Sequence, residues 1–360
     1  MLIDKATKSL NETILLYTHG QPAQPSTLAH YLGAIIEVVI RDMRRINSAL
    51  HDVDLCPMGA GAITTSGFDL DRGLMAELLG FRDCVENSYG AIAACDYITA
   101  SYSALKLSCI DLGRFVQDLA TWTGFEISQL YVPDGFVQVS SIMPQKRNPV
   151  PTEHMRLMFS LAAGGANQII DTMHNTPFAD MNDSERETQS TGHQVFDRMN
   201  RALKLLSGFV DAVQVNKASV KKRIDDSLAT ITELADSMVR HEKINFRQAH
   251  AIAHLIAKTS IKGKIPLKKF SYDSYCKYFE SEIGSAPRMK PLDFKRVSDP
   301  GHFVDVRKLR GGPSRNAMLE SLKKYKRQSE EIYTTSFKYN ERISMADSLR
   351  EDTARNLFIH

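Results

Sequence analysis

The segment VQVSSIMPQKRNPVPTEHMR, residues 137–156, holds the residues best suited to chemistry in this sequence. Ser140, Ser141, Lys146 and Asn148 are crowded ahead of prolines that suit the first turn of a helix. Backbone N–H groups at such a helix start, beside a lysine and an amide, make a site for a carboxylate or a charge-delocalised anion. A serine in this setting could act as a base if it were deprotonated.

A second interpretation needs no chemistry. Serine and proline are also common where a helix is capped, so the same residues could mark only the start of a helix. The residue types alone leave both interpretations open.

The elements around this segment are predicted to be helices, because apolar residues recur at steps of three and four. A long helix follows Ser26, its predicted N-cap, and runs to Leu50. The stretch from Asn87 to Trp122 carries an unbroken apolar stripe from Ile98 to Leu119, typical of a helix packed lengthwise in a bundle. Two further helices are predicted from about 149 to 170 and from about 187 to 210. No alternating pattern predicts a strand of useful length.

The character of the sequence changes around Val220, where shorter helical stretches and the Lys- and Pro-punctuated KGKIPLKKF appear. We therefore expect an all-α protein with a long-helix bundle at 1–228 and a small helical domain at 229–315. The Gly/Pro-rich RKLRGGPSR at 307–315 ends that domain. A charged helix from Asn316 to about Ser336 then leads into a tail, so that 316–360 form a helical extension.

Composition excludes several classes of protein. The 360 residues carry a net charge of only +3 and are 43% hydrophobic, as in ordinary globular proteins and unlike disordered chains. The near-neutral charge gives no reason to expect nucleic acid or a membrane as partner. The N-terminal twenty residues lack the apolar core of a signal peptide, so a cytoplasmic location is expected.

The cysteines and histidines outside the 137–156 segment have simpler interpretations than metal binding or redox chemistry. Five cysteines without any C-x-x-C pair indicate reduced thiols, and Cys109 falls on a helical stripe as a small buried hydrophobe. His250 and His254 are spaced as metal ligands can be, but Ala251 stands where a zinc protease would have glutamate. No metal and no cofactor is expected.

SSIMPQKRNP closely resembles the signature of the fumarase/aspartase superfamily, and its flanks resemble the argininosuccinate lyase branch. YTHGQPAQPSTLAHYL at 17–32 is similar to that branch's Thr-His-x-Gln-x-Ala-Gln-Pro-x-Thr segment, and PMGAGAITTSGFDLDRGLMAELLGF at 57–81 is similar to the segment that follows. ENSYGAIAACDY, LATITELADSMV and FRQAH also occur in family order. The resemblance covers nearly all of residues 1–315, and it favours the catalytic interpretation of the signature loop.

The resemblance implies a role for each matching position. Ser140 matches the catalytic base, and His19, with Glu153 as its partner, matches a histidine implicated in proton transfer. The positions that match substrate-contacting groups are Thr18, Gln21, Ser141, Lys146 and Asn148.

The implied reaction is an anti elimination that releases fumarate and an amine from an N-substituted aspartate. Because the superfamily builds each active site from three subunits of a homotetramer, the resemblance also implies a homotetramer. The expected partner besides other subunits is a small dicarboxylate substrate.

Two departures from the family pattern change the expectations. Family members carry a Ser-Arg-x-Arg-Asn-Asp stretch upstream of the Thr-His-x-Gln segment. This sequence has no counterpart, so we expect a complementary chain or an upstream extension to supply it and the chain alone to be inactive. A non-catalytic structural role, as in a lens crystallin, is the alternative from another class.

The second departure concerns the substrate. Val139 replaces a glycine, Gly90 and Ala94 replace acidic residues, and Asp180 and Glu185 stand where a tyrosine and a glutamine face the amine half. These differences resemble the sub-branch that includes ethylenediamine-disuccinate lyase.

Overall fold

The computed structural model describes residues 1–182 and 186–358. The helices are α1 (Leu2–Lys8), α2 (Leu28–Val53), α3 (Arg72–Leu79), α4 (Ser88–Ala93), α5 (Asp96–Thr123), α6 (Val150–Thr172), α7 (Arg186–Ala212), α8 (Lys217–Ser227), α9 (Ile231–Glu242), α10 (Phe246–Gly263), α11 (Tyr272–Ile283), α12 (Pro291–Val297), α13 (Pro300–Asp305) and α14 (Arg315–Phe358). The strands are β1 (Thr13–Thr18), β2 (Gln21–Thr27), β3 (Leu55–Cys56), β4 (Asp83–Cys84), β5 (Leu130–Tyr131), β6 (Gln138–Val139), β7 (Arg147–Asn148) and β8 (Gln214–Val215). Within the described residues no helix is long and apolar enough to cross a membrane.

The all-α expectation is confirmed, and the predicted long helices correspond to α2, α5, α6 and α7. The stripe predicted on α5 is buried along most of its length, since Leu105, Cys109, Leu112, Val116 and Leu119 are all 5% exposed or less. Apolar spacing therefore identified the face of this helix that packs.

The chain divides into two compact units. Unit I comprises Met1–Ile36, Leu119–Pro149 and Gly208–Lys324, and unit II comprises Glu37–Asp118, Val150–Ser207 and Tyr325–His360. The division into the segments 1–228, 229–315 and 316–360 stays a prediction.

Unit I contains a helical core built from α9, α10, α11 and α12. Tyr275 is fully buried and stacks on Phe294 with 4.8 Å between ring centroids. The Glu242 carboxylate accepts the backbone N–H groups of Arg288 at 2.7 Å and Met289 at 2.6 Å, so the loop ahead of α12 is tied to the end of α9. Buried charge is thus satisfied by hydrogen bonds, as its desolvation requires.

Parts of α5, α6 and α7 pack closely in unit II, because glycines at the contacts leave room for side chains of the neighbouring helix. A Cβ atom at Gly192 on α7 would lie 2.1 Å from the Tyr102 hydroxyl on α5, and one at Gly165 on α6 would lie 2.9 Å from Val195. Lys106 Nζ on α5 donates to Asn167 Oδ1 on α6 at 2.6 Å. A side chain at position 192 would therefore have to displace the Tyr102 ring.

The expectation that no strand of useful length occurs is wrong for β1 and β2, which form an antiparallel hairpin. Prolines at 22 and 25 argue against a strand, because proline cannot donate to the ladder. The pairing succeeds because β2 is an edge strand with a single partner and because His19 and Gly20 form a tight turn with φ of 52° and 73°.

Three predicted helix boundaries need correction. Thr27, not Ser26, caps α2, since Thr27 Oγ1 accepts the His30 N–H at 3.1 Å while Ser26 Oγ bonds the His30 ring at 2.8 Å. The predicted helix from Asn87 divides at Ala94, which is extended with ψ of 134°, into α4 and α5. The last helix continues to Phe358 because its later turns pack in unit II, where Arg342 Nε donates to the Gly80 carbonyl at 3.0 Å.

Candidate active site

The signature segment folds as a small hairpin. β6 and β7 pair antiparallel with Gln138 opposite Asn148 and Val139 opposite Arg147, so residues 140–146 form the loop between them. This loop carries Ser140, Ser141 and Lys146, all in unit I. We call residues 138–148 the signature hairpin.

Ser140 is half-buried and is held by its own loop. Its Oγ accepts the backbone N–H of Met143 at 3.1 Å and that of Ile142 at 3.4 Å. The Lys146 N–H in turn donates to the Met143 carbonyl at 3.0 Å. N–H groups aimed at a hydroxyl oxygen favour its deprotonated form over the neutral one, so the loop geometry suits a serine that acts as a base.

Asn148 closes the base of the hairpin. Its Nδ2 donates to the Gln138 carbonyl at 3.1 Å, across the strand pair. The side chain is half-buried, and this bond fixes where its amide carbonyl can point. The residue predicted to bind a carboxylate therefore also has a structural role.

Arg147, which the sequence reasoning did not single out, anchors the hairpin. Its guanidinium donates to Asp134 Oδ1 at 2.5 Å, the Val132 carbonyl at 2.7 Å and the Tyr131 hydroxyl at 3.2 Å, and it lies 5.2 Å from the centre of the Tyr131 ring. The hydrogen bond with Asp134 raises the pKa of Arg147. These contacts tie β7 to the segment that precedes β6, and no spacing in the sequence signals them.

Thr18, His19 and Gln21 lie together on the β1–β2 turn, also in unit I. Thr18 pairs with Gln21 at the last rung of the ladder, and His19 occupies the turn itself. All three are exposed. The structure thus groups the predicted histidine with two predicted substrate contacts on one turn.

Glu153 is exposed in the first turn of α6. It belongs to unit II, whereas the other seven predicted site residues belong to unit I. Its pairing with His19 stays a prediction.

The positions that depart from the family pattern lie partly together in unit II. Tyr89 on α4, beside Gly90, donates its hydroxyl to the Phe178 carbonyl at 2.9 Å, and the two rings stack at 5.9 Å. Phe178 is two residues from Asp180, which is exposed. Glu185 lies outside the described residues. The contact brings two of the variable segments next to each other.

Comparison with known proteins places these segments in a family. A family described as lyase matches residues 1–164, and one described as argininosuccinate lyase C-terminal matches 228–305. Argininosuccinate lyase of Methanothrix thermoacetophila is 32% identical over 96% of this chain and 70% of its own length. The chain belongs to the argininosuccinate lyase family.

Two further comparisons agree with this assignment. Argininosuccinate lyase 2 of Agrobacterium fabrum is 50% identical over 90% of the chain and 64% of its own length. The crystal structure of an EDDS lyase in complex with formate superposes with a TM-score of 0.90 at 25% identity, over 99% of this chain and 71% of that one. The chain therefore spans about two thirds of the length of the relatives it matches.

Proposed function

We propose that the protein is a carbon–nitrogen lyase that eliminates fumarate from argininosuccinate, leaving arginine. The observation that carries the proposal is the signature hairpin, where Ser140 accepts two backbone N–H groups and shares one loop with Lys146. The family membership and the 50% identity to an argininosuccinate lyase support the same reaction.

The proposed steps follow from the chemistry of an N-substituted aspartate. Ser140, as the alkoxide, removes a proton from the carbon next to a carboxylate, and the C–H electron pair moves into that carboxylate as an aci-anion. Lys146 and Asn148 stabilise its double negative charge. The electrons then return to form the C=C bond of fumarate while the C–N bond breaks.

The leaving amine needs a proton, and His19, oriented by Glu153, is proposed to supply it. Thr18, Gln21 and Ser141 are proposed to hold the substrate in position. A neutral serine is a weak base, so the N–H groups on Ser140 and the charge of Lys146 must stabilise its alkoxide.

We further propose that the active form is a homotetramer whose active sites combine residues of several subunits. Apolar side chains exposed on the long helices of unit II support this assembly: Leu107, Ile110, Leu157, Leu161, Phe196 and Leu203 are each 38% to 56% exposed. Ile142 and Met143 in the signature hairpin are exposed as well, at 87% and 42%. A monomer mass by light scattering at micromolar concentration would contradict the tetramer.

A second candidate substrate class is another N-substituted aspartate, such as ethylenediamine-disuccinate. The TM-score of 0.90 with an EDDS lyase favours it, as do Gly90, Ala94 and Asp180 at positions where argininosuccinate lyases differ. The fumarate half of the substrate is common to both candidates, so the two differ only in the amine.

The deciding experiment measures fumarate absorbance with each substrate in turn. The chain is assayed alone and together with a variant of the Agrobacterium fabrum relative in which the matching serine is alanine. This relative is longer than the part that the chain matches, so the variant supplies the segments that the match does not cover. Faster release from argininosuccinate supports the main proposal, and faster release from ethylenediamine-disuccinate supports the second. A mixed assembly, verified by native mass spectrometry, that releases fumarate from neither substrate would refute both and favour the non-catalytic role.

Two broader expectations belong to the same proposal. A cytoplasmic location is supported by the five cysteines, which are all free thiols. The division of the chain near residue 228 is supported by the C-terminal family match, which begins at that residue.

A further inference from the structure

Two of the five cysteines face each other across a strand pair in unit II. β3 and β4 are parallel, and their register places Cys56 directly opposite Cys84. Neither the family signature nor the proposed reaction uses either residue. Both are free cysteines in the structure.

The strand pairing places the two cysteine backbones within the Cα range that a disulfide spans. Neighbouring strands lie about 4.8 Å apart, within the Cα separation of about 4.4–6.8 Å that disulfides span. Directly paired residues project from the same face of a sheet, so the two side chains point to one side. The ladder has only two rungs, so little regular structure resists the small shift that bond formation needs.

The flanking contacts hold the two strands together. Val85 N–H donates to the Cys56 carbonyl at 2.9 Å, and Arg82 N–H donates to Asp54 Oδ1 at 3.1 Å. Arg72 bridges the same two segments, since its guanidinium donates to the Met58 carbonyl at 3.1 Å and the Val85 carbonyl at 2.8 Å. The backbones of the two cysteines are therefore held next to each other before any oxidation.

The two thiols differ in accessibility in a way that suits stepwise oxidation. Cys56 is fully buried, whereas Cys84 is half-buried and can be reached by a small oxidant. Cys109, in contrast, is buried on α5, and burial raises the pKa of its thiol to about 11, so it forms little of the reactive thiolate.

We propose that Cys56 and Cys84 form an oxidisable dithiol that a hydroperoxide converts to an intrachain disulfide. The Cys84 thiolate attacks the O–O bond, which gives a sulfenic acid and one water or alcohol. The Cys56 sulfur then attacks the Cys84 sulfur, forms the S–S bond and releases one water. The peroxide is reduced by two electrons and the thiol pair is oxidised by two, and a dithiol reductant reverses the change.

The disulfide would close the segment 57–83, which contains α3. Ahead of that helix lies a loop in which four residues have positive φ: Gly59, Gly61, Ile63 and Thr65. Closing the segment restricts its unfolded ensemble, so the oxidised protein should resist thermal unfolding more than the reduced one. The site is thus a modification site independent of the proposed lyase chemistry.

The test treats the full chain with hydrogen peroxide, alkylates the remaining thiols and maps the peptides by mass spectrometry. Because no Lys or Arg lies between Cys84 and Cys95, trypsin leaves both in one peptide, so the experiment uses a Cys95→Ser background. We expect the peptide with Cys56 joined to the peptide with Cys84, about 2 Da lighter than the sum of the reduced peptides, and released by dithiothreitol.

Two variants make the result specific. Cys84→Ser should abolish the cross-link and the oxidation-dependent rise in the unfolding temperature, while Cys276→Ser should change neither. Circular dichroism checks that each variant is folded. Cys56→Ala, which removes the buried thiol, should abolish the cross-link as well. Sulfinic acid at Cys84 without a cross-link, or alkylation of both thiols after peroxide treatment, would overturn the proposal. These readouts are covalent and thermal, so they do not depend on lyase activity.

Discussion

Arg147 on β7 forms an ion pair with Asp134, 13 positions earlier, with 2.5 Å between Nη1 and Oδ1. The same guanidinium binds the Val132 carbonyl at 2.7 Å. The Arg147 side chain, which lies between Lys146 and Asn148 in the sequence, thereby connects the signature hairpin to the segment that precedes it. We regard Arg147 as a positioning residue for the proposed base.

Arg147→Met should lower the rate of fumarate release, because a loop that is displaced by about 1 Å can lose roughly 100-fold in rate. The ion pair is exposed to solvent, which screens it, so the free energy of unfolding should change little. Asp134→Asn should have a smaller effect, since the bonds to Val132 and Tyr131 remain. Steady-state kinetics with denaturant unfolding measures both, and an unchanged rate for Arg147→Met would refute the positioning role.

Glu233 should contribute far more to stability than an ordinary surface carboxylate. Its side chain is 1% exposed and binds Arg240, Arg307 at 2.9 Å and the Ser237 hydroxyl at 3.1 Å. Glu233→Ala leaves two guanidinium groups without this partner and should lower the free energy of unfolding by about 3–5 kcal/mol.

The matched control for Glu233 is Glu330→Ala on α14, whose exposed pair with Lys326 spans 3.9 Å. It should change the free energy of unfolding by less than about 0.5 kcal/mol in the same urea titration. Equal effects of the two substitutions on the free energy of unfolding would contradict the larger contribution predicted for Glu233.

His30 should make stability depend on pH. Burial lowers the pKa of His30, whose ring bonds Ser26 Oγ at 2.8 Å and the Gly311 carbonyl at 3.0 Å. Because the unfolded chain then binds protons more readily than the folded one, the free energy of unfolding should fall as pH falls below about 6.5.

His30→Gln removes this proton linkage, so its stability should depend less on pH than that of the unmodified protein. Urea unfolding at several pH values between about 7.5 and 5 measures the two slopes. Burial also lowers the pKa of His302. This residue is present in both proteins and affects both slopes alike. Identical slopes would contradict the role assigned to His30.

Cys109 should react with iodoacetamide more slowly than Cys95 in the native protein. It is 2% exposed, and burial raises the pKa of its thiol to about 11. At pH 8 only roughly one thiol in a thousand is then the reactive thiolate. Alkylation followed by peptide mapping, with half-buried Cys95 as the internal comparison, measures the rates, and equal rates would contradict the burial of Cys109.

The sequence predicted the features that depend on local pattern. Apolar spacing identified α5 and its buried face, and prolines marked the start of α6. It also identified the loop from Ser140 to Lys146, because the residue types there are both chemically unusual and familiar from one family. These signals come from residues that are close in the sequence, and they do not depend on contacts between distant segments.

The features it missed depend on contacts between distant segments. The strand β2 contains two prolines and forms only because β1 pairs with it. Arg147 reaches Asp134 only once β6 and β7 are in register, and Cys56 meets Cys84 only because α3 returns the chain to a parallel strand. Nothing in the local spacing of these residues encodes such pairings.

The most direct test of the proposed reaction is the rate of fumarate release by Ser140→Ala in an assembly where the unmodified chain is active. Loss of a general base removes roughly 10²–10⁴-fold of rate or more, whereas one loop hydroxyl contributes little to folding. We predict that fumarate absorbance from argininosuccinate ceases to rise while helical content and assembly stay unchanged, and that the neighbouring Ser141→Ala loses less. A Ser140→Ala protein that still releases fumarate at the unmodified rate would contradict the assignment and leave the segment as a capped helix start.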